Sequence, residues 1–367
     1  MKKLIKALLV LCFITLLTTL SFAQNNFSKV DTWLADNLKD LGGRAVIVVW
    51  KDGKIVYNKA DNGLTQRQKM VANFIAKRQG KDAAEATKDF TSTTRERIAS
   101  CSKWLSAALV MTFVDEGKLS LEDTIGKYLP VMTQNGKGGI KIWHCLSHLT
   151  GIKGLQGKDS WTEMSNYKTM DEAIASISKQ AVESEPGKGF HYGNTGLQIA
   201  AAVIEKIGKK DFETLFQERI AKPCGMKQTD FGKTAVPQAA GGAFSTAEDY
   251  LNFMVMLLQD GKFNGKQILT AKSVAAMQHN YAKGATIMGS PKEAGDFGYG
   301  FGEWTMDDNN RSIAVTSPGL FGSFPWIDNQ KHYAAMLFSF NINSTGRHER
   351  YKALKALVDE AIANNYH

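Results

Sequence analysis

Arg97-Ile98-Ala99-Ser100-Cys101-Ser102-Lys103-Trp104-Leu105 opens an apolar run that continues to Val114 and stops at Asp115-Glu116-Gly117. It reads as a core helix with Ser100 at its N-terminus and a stop signal at its end. Ser100 and Lys103 are nearly one turn apart, so both project from one face. A serine hydroxyl is a weak nucleophile until a base takes its proton, and an adjacent neutral lysine can do so. Cys101 points about 100° away from Ser100 on a helix and is expected to pack in the core. A second string, Phe190-His191-Tyr192-Gly193-Asn194, supplies a phenol and an amide able to converge on the same oxygen.

Neither motif is specific alone. S-x-x-K recurs at Ser165–Lys168 and Ser176–Lys179, and Y-x-N recurs at Tyr250–Asn252. Ser176 falls late in an amphipathic stretch, and Tyr250 lies inside a packed helical pattern, Ala247 to Leu258. Ser100 and Tyr192 gain weight as a pair, in that order.

Outward from the pair, Ala45–Trp50 and Lys54–Tyr57 flank Asp52-Gly53, a strong hairpin signal. Gly298–Met306, Ser312–Thr316 and His332–Phe340 also read as strands. From Glu349 to Ala363, Tyr351, Leu354, Leu357, Val358 and Ile362 form one helical stripe. The expected fold is α+β: an antiparallel sheet of about five strands, from about 45–58 and 298–340, flanked by terminal helices. A mainly helical lobe fills about 74–288, and a cleft between the lobes is where a substrate pocket is expected.

Residues 1–23 carry Lys2, Lys3 and Lys6, an apolar run from Ala7 to Leu20 and then Ser21-Phe22-Ala23, the pattern of a secretory signal peptide. The run is shorter than the roughly 20 residues a membrane span needs, so cleavage after Ala23 leaves 24–367 as one domain, periplasmic or secreted. The formal charge falls from +9 to +6 without the three leader lysines. The remaining charges are interspersed with acids, which argues for solubility and against nucleic acid as a partner. The densest basic patch, Gln66 to Arg78 around Val71, Phe74 and Ile75, reads as an amphipathic helix with a solvated face. Cys101, Cys145 and Cys224 do not resemble a disulfide framework.

With these residues laid out, the chain resembles the serine β-lactamase-like superfamily, in its class C β-lactamase, D-alanyl carboxypeptidase and family VIII esterase branch. The resemblance runs in order through Arg97–Lys103, Glu116–Asp123, Leu146-Ser147-His148-Leu149-Thr150-Gly151, Glu185–Gly196 and Gly242–Asp249. It implies the β-lactamase/transpeptidase-like fold and an acyl-enzyme mechanism with no cofactor or metal. Ser100 is then the nucleophile, Lys103 and Tyr192 the proton carriers (either one the acylation base), and Asn194 a substrate- or lysine-orienting amide. The strand motif, usually K-T-G or H-x-G, departs from the pattern here as Thr316-Ser317-Pro318-Gly319-Leu320. Gly319 suits close substrate approach, and the Leu320 N–H pairs with that of Ser100 as an oxyanion hole. Ser317 replaces the cation and Pro318 removes a donor, which tilts the expected substrate toward neutral esters, with Arg347 or Arg350 as alternative cations.

His144, Cys145 and His148 lack a further nearby ligand for zinc, and Gly298–Gly302 has neither the spacing nor the helix of a nucleotide loop. Trp304, Phe324 and Trp326 are aromatic candidates for the pocket, with Trp326 as the acyl-group wall. Three functions fit these residues: an esterase-type acyl hydrolase, a D-stereospecific peptidase or weak β-lactamase, and a non-catalytic binding module of the same fold. The substrate is a small ester or peptide-like molecule; the sequence does not fix the oligomeric state.

Overall fold

The computed structural model describes residues 26–78, 82–154, 166–307 and 309–363. The leader segment 1–23 and Ser165 lie outside the described residues. Helix α1 (Ser28–Asn37) leads into the hairpin β1 (Arg44–Lys51) and β2 (Lys54–Asn62). Its turn places Asp52 at φ 48° and Gly53 at φ 85°, the left-handed pair that closes a two-residue hairpin without splaying its strands. The chain then leaves the sheet through α2 (Gln66–Arg78), α3 (Ser102–Asp115), α4 (Met170–Lys179), α5 (Thr195–Gly208) and α6 (Ala247–Leu258). It returns as β3 (Gly298–Tyr299), β4 (Trp304–Thr305), β5 (Ala314–Thr316), β6 (Phe324–Asp328) and β7 (Tyr333–Ser339), and ends in α7 (Arg347–Ala363).

The sheet has seven strands in the order β2-β1-β7-β6-β5-β4-β3, all antiparallel, not about five. One difference is Gly298–Met306, which is split by a turn at Gly300–Gly302, with Gly302 at φ 75°. A Cβ at Gly302 would press on the Ala107 side chain and the Lys103 carbonyl, so the turn is fixed by contact with α3. The other is β6, whose Phe-Pro-Trp-Ile-Asp shows no alternation because both faces are covered. Pro325 also argues against a central strand.

Strand alternation in β1 and β7 feeds two cores on opposite faces of the sheet, beside a smaller cluster of Leu149, Phe190, Tyr299 and Trp304. Val46 and Val48 of β1, with Met336 and Phe338 of β7, face the helical lobe around α3 and α6. Ala45, Ile47 and Val49, with Ala335 and Leu337, face α1 and α7. Trp326 belongs to the second face, packed on Phe324 and bonded to the Tyr333 hydroxyl at 2.8 Å. It is therefore a core residue behind the sheet and not the acyl-group wall.

Candidate active site

Ser100 lies in a single 3₁₀ turn, Ala99–Cys101, just before α3. Ala99 is held at φ 45°, a left-handed conformation for a residue with a Cβ, which costs about 1–3 kcal/mol. The surroundings enforce it: the Ile98 N–H donates to Ala243 O at 3.0 Å, and Gly319 packs against the Ile98 carbonyl with no room for a Cβ. Cys101 is fully buried, and burial pushes its thiol well above its usual range, so it is no competing nucleophile.

Lys103 is 1% exposed, and desolvation pulls its ammonium down to about 7. Its Nζ lies 3.2 Å from Ser100 Oγ and donates to Asn194 Oδ1 at 3.1 Å and Ala240 O at 2.8 Å. Ala240 gives no signal in a sequence, because only its carbonyl is used. Side chains around Lys103 place that carbonyl: Ser106 Oγ donates to Ala239 O at 2.5 Å, and Ser102 Oγ accepts from the Ala243 N–H at 3.0 Å. Gln198 of α5 holds the same loop through Pro237 O and the Ala239 N–H.

Tyr192 is positioned by aromatic packing. Its ring stacks on Trp304 at 5.0 Å and meets His148 edge-on at 4.8 Å, with Lys103 Nζ 4.8 Å from its centre. Its N–H donates to Gly289 O at 2.9 Å, and its hydroxyl is hydrogen-bonded to Ser100. Burial among these rings raises the phenol above its ordinary value, so it is neutral at neutral pH. His148, at φ 60°, places its Nε2 3.0 Å from the Tyr299 hydroxyl. Burial, then the charges of Lys103 and His191, keep its ring uncharged. His144 is used differently, its Nδ1 accepting from the Lys141 N–H at 3.0 Å, and Cys145 is buried.

The structure thus brings Ser100, Lys103, Tyr192 and Asn194 together. Of the other copies of these motifs, Tyr250 is buried with its hydroxyl on Cys101 O at 2.8 Å, and Ser176 sits in α4 with Lys179 exposed. Ser317 is 2% exposed, its Oγ reaching Gly302 O at 3.0 Å and Ser100 O at 3.3 Å. Gly319 lies against the Ser100 turn, followed by the exposed Leu320. Arg347 is buried; its guanidinium donates to Leu320 O at 3.0 Å, Asn341 O at 2.8 Å and Asn343 O at 3.0 Å. Arg350 donates to Thr345 O at 2.6 Å and lies 3.7 Å from Asp40. Both cations are engaged in organising the loop before α7.

A strained serine turn, a buried lysine and a neutral phenol on one oxygen, beside an antiparallel sheet, define a class: serine hydrolases of the β-lactamase fold. The chain belongs to the Beta-lactamase family, whose profile matches residues 34–361. That family includes esterases and D-alanyl carboxypeptidases. The chain is 26% identical over 286 residues to Protein Rv1367c of Mycobacterium tuberculosis, covering 63% of this chain and 71% of that protein. It is 24% identical over 187 residues to the D-alanyl-D-alanine-carboxypeptidase/endopeptidase AmpH of Escherichia coli, covering 44% of this chain and 48% of that one. A solved structure described as a candidate beta-lactamase from Bacteroides dorei superposes with a TM-score of 0.76 at 25% identity, over 92% of this chain and 99% of the other. A family VIII carboxylesterase shares the fold with a TM-score of 0.70 at 18% identity, over 90% and 97% of the two chains.

Proposed function

We propose that this protein is an exported acyl hydrolase that cleaves small neutral esters through an acyl-enzyme on Ser100. The observation that carries this reading is the Ser100–Lys103 pair: a nucleophile 3.2 Å from an amine whose proton affinity burial has brought to about 7. A neutral amine has two N–H donors and one lone pair. Asn194 Oδ1 and Ala240 O take the donors, which leaves the lone pair for the Ser100 proton. Lys103 is therefore the acylation base in this reading. As Ser100 Oγ bonds to the substrate carbonyl carbon, its proton passes to Lys103 Nζ, and the Ser100 and Leu320 N–H groups hold the oxyanion. Collapse breaks the bond to the leaving alkoxide, which takes a proton through the Tyr192 hydroxyl. Water then attacks the Ser100 ester, giving its proton back along the same route and releasing the acid.

The preference for a neutral ester rests on Ser317. A carboxylate-bearing substrate needs a cation beside the strand motif, and a charge-assisted hydrogen bond there contributes about 1.5–3 kcal/mol. Ser317 supplies none, and its hydroxyl is engaged with two carbonyls. Labelling by a fluorophosphonate probe tests the chemistry: Ser100→Ala should abolish it and Ser176→Ala should leave it intact, and the reverse pattern would overturn the assignment. p-Nitrophenyl butyrate and nitrocefin offered in parallel test the substrate class. A higher kcat/KM for nitrocefin makes the protein a β-lactamase, and labelling without turnover of either replaces the ester reading. N-terminal sequencing of exported protein should begin at Gln24.

A further inference from the structure

We propose that α2 docks this protein on an anionic lipid surface. The helix lies between the hairpin and the nucleophile turn, remote in sequence from every group invoked above. Its start is set at its first turn: the Thr65 N–H and hydroxyl both donate to Gln68 Oε1 at 2.9 Å, and the Gln68 N–H donates to Thr65 Oγ1 at 3.2 Å. This reciprocal capping box fixes where the helix begins. Among the described side chains, the half-buried and buried ones are polar or small: Gln68, Ala72, Asn73 and Ala76.

The outward side reverses the usual order. Met70, Val71 and Phe74 are 65%, 51% and 62% exposed. An amphipathic helix in a globular protein turns such residues inward, so the solvated face expected for this segment is the apolar one. Arg67, Lys77 and Arg78 are exposed at spacings of three and four from these residues and so share their face, while Lys69 is exposed beside it. The Arg78 guanidinium lies over the Phe74 ring at 5.7 Å. Helix α2 contains four cations and no acid.

A stripe of Met, Val and Phe with cations at both ends has the chemistry of an interfacial helix, its apolar residues among acyl chains and its cations at lipid phosphates. Long basic side chains bridge both environments, with their stems in the apolar layer and their heads in the charged one. A protein partner with an acidic rim around an apolar groove would match the charge too. Exposure of more than half of every residue in the stripe, with four cations and no acid on the helix, favours the lipid surface, which needs no shaped complement.

The test is sedimentation of the protein, in the form recovered after export, with sucrose-loaded vesicles of phosphatidylcholine alone or mixed equally with phosphatidylglycerol. Binding is expected only to the mixed vesicles and should weaken as salt rises. Met70→Asp with Phe74→Asp should lower partitioning at least roughly tenfold, and each of Arg67→Gln, Lys77→Gln and Arg78→Gln roughly fivefold. Any leader sequence is common to wild type and variants, so the difference reports α2 alone. Thermal unfolding and p-nitrophenyl butyrate turnover should be unchanged, which separates failure of this proposal from failure of the hydrolase reading. Equal sedimentation of wild type and variants, or none with mixed vesicles, overturns the proposal. So does a lipid-free dimer seen by light scattering that Phe74→Asp dissociates, which would make a second copy the occupant.

Discussion

Lys103 has to be buried to be a base, and burial makes its proton the most consequential one in the protein. With the ammonium brought to about 7, kcat/KM for p-nitrophenyl butyrate should rise with pH through an apparent pKa near 7 and level off above it. A rate independent of pH between 5 and 9 would remove Lys103 as the base. Stability carries the same signature. The unfolded lysine holds its proton up to about 10.5 and the folded one only to about 7, so stability should rise as pH climbs between those values. Lys103→Met should flatten that rise. Glu303 shows the opposite sign. It is fully buried, both carboxyl oxygens lack a hydrogen-bond partner among the described residues, and desolvation raises it well above its ordinary 4.5. An unfolded chain ionises Glu303 above about 4.5 while the folded one keeps the proton, so this group costs stability increasingly as pH rises. Glu303→Gln should therefore raise the melting temperature at pH 8 and change it little at pH 4, as read by calorimetry. An equal shift at both would mean the gain is packing and not ionisation.

At the scale of elements, the site is made where α3, the Tyr192 loop and the strand end after β5 meet, and α7 reaches that strand end through Arg347 and through Tyr351, whose hydroxyl donates to Gly322 O at 2.8 Å. Arg347, in the first turn of α7, donates to the Leu320 carbonyl, which fixes the peptide plane after Leu320 and so restrains the residue whose own N–H lies in the preceding plane. Arg347→Ala should lower kcat roughly 10- to 100-fold, the scale expected when a catalytic group is misplaced by about an ångström. KM for a neutral ester and the acidic limb of the pH profile should stay near wild type, since neither the substrate's charge nor Lys103 is touched. A loss seen only in KM, and only for anionic substrates, would restore Arg347 as a substrate-binding cation. The same elements show what patterning can reveal. The Asp52-Gly53 hairpin, the α3 helix and the α7 stripe all follow local rules. Strand β6 does not, because a strand covered on both faces has no alternation to read and Pro325 speaks against it.

Across the whole molecule, the seven-stranded sheet separates the chemistry from a second core that only supports it. Trp326 lies in that second core, so Trp326→Ala should destabilise the protein by about 3–5 kcal/mol in denaturant titration. Its preference among p-nitrophenyl esters of different acyl length should not change. Trp304, stacked on Tyr192, should show the converse, with a loss of turnover in Trp304→Ala. A changed chain-length preference in Trp326→Ala would return that residue to the pocket. The sequence by itself determined the elements that rest on neighbours a few positions away: the pairing of Ser100 with Lys103 on one helix turn, the hairpin, the terminal helix and the order of motifs marking the family. Tertiary structure alone decided which face of the sheet Trp326 joins and that Ser317 is turned toward two carbonyls. It also decided that Ala240, a residue without a functional side chain, completes the lysine's hydrogen bonds. The physical reason is that burial and carbonyl direction depend on contacts between separate elements, from Gly302 beside Ser317 to Ala240 beside Lys103, and no local spacing records them.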